Sequence, residues 1–257
     1  MTTSPMIVAV PSKGRIEEES QVLFARAGLP ISKSGGTRGY SGVLKGIADV
    51  EVRFLSSGEI AGALEAGEAH LGITGLDLIR DRTRSPDTTI NVIRSLGFGR
   101  ADVVVALPRA WIDVAQMADL ADAATLFRQR HHRTMRVATK YASLSRSFFA
   151  KHGLVDYCLV DSAGATEAAP SNGQAELIVD ITTTGATLKA NGLKVPEDGL
   201  ILRSEAVLAV SLTADWTKSS RTALGHVLDA VIVPETAVVK QTRHKRLPDV
   251  QKILARL

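Results

Sequence analysis

Short apolar runs recur along this chain, and most lead into stretches where apolar residues return every third or fourth position, the α/β pattern. Residues 6–10 form the first run, closed by Pro11. Over 16–27 the positions Ile16, Ser20, Leu23 and Ala27 share one helical face, with Gly28 as the stop. Val50, Val52 and Phe54 alternate as a strand, and Ser57 is placed to cap a helix over 58–66 that Gly67 ends. Further strands are expected over 70–74, 90–96, 102–107, 136–139, 155–160, 177–181 and 206–212. Helices are expected over 114–130, from a Ser143 cap to His152, and over 216–231, with shorter ones after Gly75, around Glu167 and from Thr187. Residues 31–46, rich in Gly and Ser, read as an irregular or hairpin segment.

Strands alternating with helices imply α/β units. No internal repeat or low-complexity block interrupts them. The Gly97-Phe98-Gly99 break divides the chain into two lobes. The first takes residues 1–102 and is completed by 204–257; the second takes 103–203.

Charge refines this picture at one end only. The net charge of +4 is concentrated in residues 240–257, where Lys240, Arg243, Lys245, Arg246, Lys252 and Arg256 face only Asp249; the rest of the chain nets −1. The basic balance therefore describes a tail, not a stripe for nucleic acid, and aromatics at 4% supply no stacking platform. Val250, Ile253, Leu254 and Leu257 fall on one helical face of that tail, a pattern suited to docking on a partner. No apolar run reaches membrane-spanning length and no secretory signal is visible, so the chain reads as cytoplasmic. Cys158 is alone, which excludes an intramolecular disulfide, and the His131-His132-Arg133 cluster has the wrong spacing for a metal.

The chemistry concentrates at two turns. Asp180 ends an apolar run, and Thr183-Thr184-Gly185-Ala186-Thr187 follows. Backbone N–H groups, hydroxyls and a helix start there make a phosphate cradle, with Asp180 as an acceptor for sugar hydroxyls. A plain strand–turn–helix junction with a capping Thr would read the same way. At the other turn, Lys13, Gly14 and Arg15 stand before a helix whose first turn is acidic. Cations there oppose the helix dipole and point to a phosphate or pyrophosphate ligand, or to two solvated side chains.

The Asp180–Thr187 loop resembles the loop with which phosphoribosyltransferases hold phosphoribosyl pyrophosphate (PRPP). Over residues 7–212 the chain resembles the ATP phosphoribosyltransferase family, which opens histidine biosynthesis. The resemblance rests on Val10-Pro11-Ser12-Lys13-Gly14-Arg15, Leu71-Gly72-Ile73-Thr74-Gly75, Leu96-Gly97-Phe98-Gly99, Val137-Ala138-Thr139-Lys140-Tyr141, Glu167-Ala168-Ala169-Pro170, and Asp180-Ile181 through Asn191-Gly192-Leu193. Two positions depart from the family pattern: Ser12 intervenes between Pro11 and Lys13, and Ser57-Gly58-Glu59 stands where long-form members often carry Arg-Asp.

The resemblance implies two lobes like those of type II periplasmic binding proteins, with the active site in the cleft. It also implies the short form, which lacks the C-terminal regulatory domain and works with a regulatory subunit resembling a histidyl-tRNA synthetase, as a hetero-oligomer and homodimer. PRPP is then expected on Asp180, Thr183, Thr184, Gly185, Ala186 and Thr187. ATP and pyrophosphate are expected on Lys13, Gly14, Arg15, Arg38, Gly75 and Asp77, and Glu167 faces the site without an assigned role. Mg²⁺ is expected through substrate oxygens, with no protein metal site. Two rivals stay open from the residues themselves: a phosphoribosyltransferase for another base, and a bilobal solute-binding or sensor protein. No nucleic acid or membrane partner is expected.

Overall fold

The computed structural model describes residues 4–34, 40–82, 86–162, 164–232 and 250–257. Arg38 and residues 240–249 lie outside that set. Two compact units result, Met1–Gly99 with Ala206–Leu257, and Arg100–Glu205.

The first unit is built on β1 (Met6–Pro11), buried at every position. It lies between β4 (Val50–Leu55) and β5 (Leu71–Gly75), parallel to both. Burial on both faces is what a parallel sheet demands, and it explains the unbroken apolar runs. Met6, Val8 and Val10 join one core with Phe24 and Leu224, while Ile7 and Ala9 join another with Ile60 and Leu64. That is the period of two read at the level of packing. The 31–46 segment resolves into a hairpin of β2 (Ile31–Ser34) and β3 (Ser41–Leu44). With β6 (Ile90–Ser95) and β13 (Ala206–Ser211), seven strands of the described residues pair in the order β2-β3-β4-β1-β5-β13-β6.

Helices cover this sheet: α1 (Arg15–Arg26), α2 (Ser57–Ala66), α3 (Leu76–Arg82), α4 (Pro86–Thr89) and, late in the chain, α8 (Lys218–Ile232) and α9 (Val250–Leu254). The α2 cap is Ser56, not Ser57. The Ser56 hydroxyl accepts from the Glu59 N–H and the Glu59 carboxylate accepts from the Ser56 N–H, and only that register closes the box. Gly67 ends α2 in the left-handed conformation, as expected. The tail stripe has a different use from the one its pattern implied. Ile253 is buried in this unit's own core, and Val250, Leu254 and Leu257 pack against it. An amphipathic face can be satisfied within the chain as well as by a partner.

The second unit pairs β8 (Met135–Thr139) in parallel with β9 (Tyr157–Asp161) and β10 (Leu177–Thr182). On the far side of β10 runs β7 (Ala101–Pro108), antiparallel, which also carries β11 (Leu193–Lys194) and β12 (Leu200–Ser204) on its other edge. Ala101 and Asp102 pair with Ser204 and Arg203, so these residues belong to this sheet. Helix α5 (Met117–His131) starts three residues later than its apolar pattern implied, where Asp119 caps the N–H groups of Ala115 and Gln116. Ser143 is inside α6 (Ala142–Lys151) rather than its cap, and the Thr139 hydroxyl accepts the Tyr141 N–H just before it. Among the described residues no helix is long and apolar enough to cross a membrane.

In each unit an ionisable group largely removed from water has a definite charge state. In the first, the Ile7 N–H donates to His70 Nδ1 at 3.1 Å, so the proton sits on Nε2, 3.2 Å from the Asp215 carbonyl. Burial pushes this imidazole below its ordinary 6.5, with Trp216 packed edge-on beside it. In the second, burial alone would raise Glu176, but Arg133 and Arg136 hold its carboxyl at about 2 instead of 4.5.

Both shifts lower stability in acid. The unfolded chain binds protons that the folded His70 and Glu176 refuse, so stability falls as pH drops below 6.5 for His70, and from 4.5 toward about 2 for Glu176. Urea unfolding at pH 7.5 and 5.5 should show the first loss. His70→Ala should abolish that pH dependence while costing about 2–3 kcal/mol at pH 7.5, since the buried Ile7 N–H loses its acceptor.

Candidate functional site

Parallel strands place their carboxyl ends along one edge, where α/β folds bind ligands. In the second unit that edge holds Lys140 after β8, Ser162 after β9, and the 182–187 loop after β10. Asp180, Thr183, Thr184 and Thr187 line one pocket of about 310 Å³, together with Glu167, Ile181, Thr182 and Leu188. Glu167 reaches it from a single 3₁₀ turn, Thr166–Ala168, not from a longer helix.

The loop holds itself. Thr182 Oγ1 accepts the Gly185 N–H at 2.9 Å, and Thr184 Oγ1 accepts the Ala186 N–H at 3.3 Å. Gly185 stands at φ 72°, the left-handed region, which turns the chain into α7 (Ala186–Ala190). The N–H groups of Thr183, Thr184, Thr187 and Leu188 keep no intramolecular acceptor among the described residues. Two expectations are thereby modified. The helix opens at Ala186 and spans five residues, so its dipole is small. Gly185 and Ala186 spend their N–H groups on the loop, leaving those of their neighbours Thr183, Thr184 and Thr187 without an acceptor among the described residues.

Asp180 is half-buried, and its Oδ1 accepts the Ile181 N–H at 2.8 Å. Burial raises its pKa above the ordinary carboxylate value; the Ile181 N–H and Lys140 pull it back, and Glu167 pushes it up again. Lys140 is thus a member of this electrostatic group that loop composition alone does not indicate. Its signal was positional: it directly follows a strand parallel to β10.

Lys13, Gly14, Arg15, Gly75 and Asp77 belong to the first unit. There the carboxyl ends of β1, β4 and β5 are tied together: the Ser12 N–H donates to the Leu55 carbonyl at 2.8 Å, and the Thr74 hydroxyl to the Ser57 carbonyl at 2.7 Å. Lys13 and Arg15 are exposed, and Arg15 makes only a loose 3.9 Å contact with Glu19. Gly14 caps α1 at φ 80° with no side-chain hydrogen bond to the helix. Asp77 is buried in the first turn of α3, and a Cβ on Gly75 would overlap its carboxylate oxygen. Only glycine leaves that carboxylate its place.

Two turn clusters at carboxyl edges, one cationic and one of threonines beside an aspartate, fit nucleotide and sugar-phosphate chemistry. Comparison with known proteins decides the family. The ATP phosphoribosyltransferase family model matches residues 56–231. The chain is 56% identical over 229 residues to an ATP phosphoribosyltransferase of Bradyrhizobium diazoefficiens, covering 89% of this chain and 70% of that one. It is 53% identical over 248 residues to one of Nitrobacter winogradskyi, covering 96% and 76%. The chain belongs to the ATP phosphoribosyltransferase family.

The ATP phosphoribosyltransferase match takes in Gly75, Asp77, Glu167 and the 180–187 loop, and begins after Lys13, Gly14 and Arg15. Among solved structures, the ATP phosphoribosyl transferase (HisG:HisZ) complex from Thermotoga maritima superposes with a TM-score of 0.65 at 21% identity, covering 88% of this chain and 98% of that chain. A substrate-binding protein of an amino acid ABC transporter superposes at 0.50 and 13%, covering 88% and 91%. At those identities the likeness is one of fold, and it is the bilobal binding-protein fold.

A carboxylate raised by burial is a cost to the folded state at neutral pH, because the unfolded chain ionises more readily. Asp180→Asn should therefore keep or raise the thermal midpoint at pH 7, with the gain shrinking toward pH 4. A drop at pH 7 in thermal unfolding would show that Asp180 is held there for stability.

Proposed function

We propose that this chain transfers the 5-phosphoribosyl group of PRPP to N1 of the adenine of ATP and releases pyrophosphate, as the first step of histidine biosynthesis. It is then a transferase of the glycosyltransferase kind. The observation that carries the reading is the single pocket shared by Asp180, Glu167 and the threonines of 182–187, in a chain of this family.

The Thr183, Thr184 and Thr187 groups take the 5′-phosphate, and Asp180 accepts from the ribose hydroxyls. Lys13, Gly14, Arg15, Gly75 and Asp77 take ATP and the departing pyrophosphate. Adenine N1 already carries a free lone pair, so no base has to activate it. The lone pair forms the bond to C1 while the C1–oxygen bond breaks, and pyrophosphate leaves with that electron pair, inverting the anomeric carbon. What the protein supplies is positioning and charge. The oxocarbenium-like centre develops near the Asp180 and Glu167 carboxylates, and the leaving polyanion meets cations.

Mg²⁺ accompanies the polyphosphates, held mainly by their oxygens. Asp180 and Glu167, two carboxylates at one polar pocket, are the donor set such an ion uses beside substrate phosphates. When bound, it neutralises phosphate charge. A regulatory subunit resembling a histidyl-tRNA synthetase is part of this reading. Support comes from the fold shared with the T. maritima protein, which was solved as a HisG:HisZ complex.

The test is pyrophosphate release from PRPP, dependent on ATP and Mg²⁺, with mass detection of phosphoribosyl-ATP, with and without the synthetase-like subunit. Product should form and increase with that subunit. Asp180→Ala should lower kcat/KM for PRPP by ~10- to 100-fold, the loss of a charge-assisted hydrogen bond. Turnover of a different base in place of ATP would overturn the acceptor assignment. Ligand binding without pyrophosphate release would overturn the enzymatic one.

A further inference from the structure

Charge at the carboxyl edge of the second unit is not balanced for an anionic ligand. The pocket of the threonine loop is lined by two carboxylates, Asp180 and Glu167, and by no cation. The described residues that end β8, β9 and β10 are Thr139 and Lys140, Asp161 and Ser162, and Asp180 to Thr182. Lys140 is the only cation in that set. A phosphate group brought beside two carboxylates without a counter-charge meets a repulsion that grows as water is excluded.

The sheet register puts Lys140 next to Asp180. Thr139 pairs with Val179 in parallel, so Lys140 and Asp180 come next in both strands and leave the sheet on one face. It is the face of Ala138 and Ile178, whose small core also takes Ala169 and Leu188 from the segments of Glu167 and Thr187. The Lys140 charge is felt at Asp180, yet Lys140 forms no ion pair among the described residues. Its ammonium rests instead over the ring of the buried Tyr141, 5.1 Å from the centroid. Lys140 is exposed and stands beside the threonine pocket, not among the residues that line it. Asp180 is thus flanked by the threonine loop along the chain and by an unpaired ammonium across the sheet.

PRPP is anionic at both ends of its ribose. With the ribose hydroxyls on Asp180 and the 5′-phosphate on the loop, the pyrophosphate on C1 extends beyond the threonine pocket. We propose that Lys140 binds that pyrophosphate group while PRPP is bound to the second unit, before transfer begins. The assignment rests on the PRPP reading of the 180–187 loop. A lysine closed on Asp180 would occupy the acceptor that the ribose needs; resting on Tyr141, it stays available to a third group.

Isothermal titration calorimetry of the full chain, with Mg²⁺ and without ATP, tests it by comparing PRPP with ribose 5-phosphate, which lacks the pyrophosphate. K140M should raise the dissociation constant of PRPP ~tenfold or more, the loss of a charge-assisted contact, and leave that of ribose 5-phosphate within about twofold. K140R, which keeps the charge but not the shape of the donor, should lie between K140M and the unaltered chain. The D180N background separates a direct contact from help given to Asp180: there K140M should still weaken PRPP by a similar factor. Lys140 is exposed, and circular dichroism checks that each variant is folded. The proposal is overturned if K140M binds PRPP like the unaltered chain, if both ligands weaken together, or if the loss disappears in D180N. An unaltered chain that binds neither ligand would overturn the PRPP reading of the loop itself, and the role of Lys140 with it.

Discussion

The parallel pairing of β1 with both of its neighbours is the constraint on which the first unit depends. Parallel strands cannot be joined by tight turns, so each must be followed by a crossover, and every crossover begins at the same edge. The turns after β1, β4 and β5 are thereby gathered: Lys13 to Arg15, the Ser56 cap, and Gly75 with Asp77. The second unit repeats the arrangement with β8, β9 and β10, gathering Lys140, Glu167 and the 182–187 loop. Apart from Gly75 at the end of β5 and Asp180 to Thr182 at the end of β10, the central strands contribute no residue to these clusters. Their direction decides which side chains become neighbours.

Three ionisable groups show how differently burial can be met. His70 gives up its charge and is fixed as a neutral ring by one donor and one acceptor. Glu176 keeps its charge because two guanidinium groups and the Arg136 N–H surround it. Asp180 has a single donor among the described residues and a neighbouring carboxylate, so its burial is only partly offset. The first two arrangements are complete within the protein. The third leaves acceptor capacity facing a pocket, and that incompleteness is what the proposed binding role of Asp180 rests on.

Much of this was legible in the sequence because it rests on local rules. The alternation of Val50, Val52 and Phe54, the Gly67 stop and the loop after Asp180 are each set by nearest neighbours in the chain. Other features were not local. Ser56 and Ser57 are equivalent capping candidates until Glu59 chooses between them. The stripe of Val250, Ile253 and Leu254 records that a helix has an apolar face, but not which surface will cover it. Lys140 joins Asp180 only through the pairing of β8 with β10, a contact between residues forty apart that no spacing rule contains.

The threonine loop has a kinetic consequence. Thr182 and Thr184 spend their hydroxyls on fixing the backbone around Gly185, so the loop is held before any ligand arrives. In the proposed role, an arriving phosphate would not wait for a segment to fold around it, and little chain entropy would be lost when it lands. Capture can then proceed at the pace of encounter and orientation, and differences in affinity among ligands will be expressed in how quickly they leave.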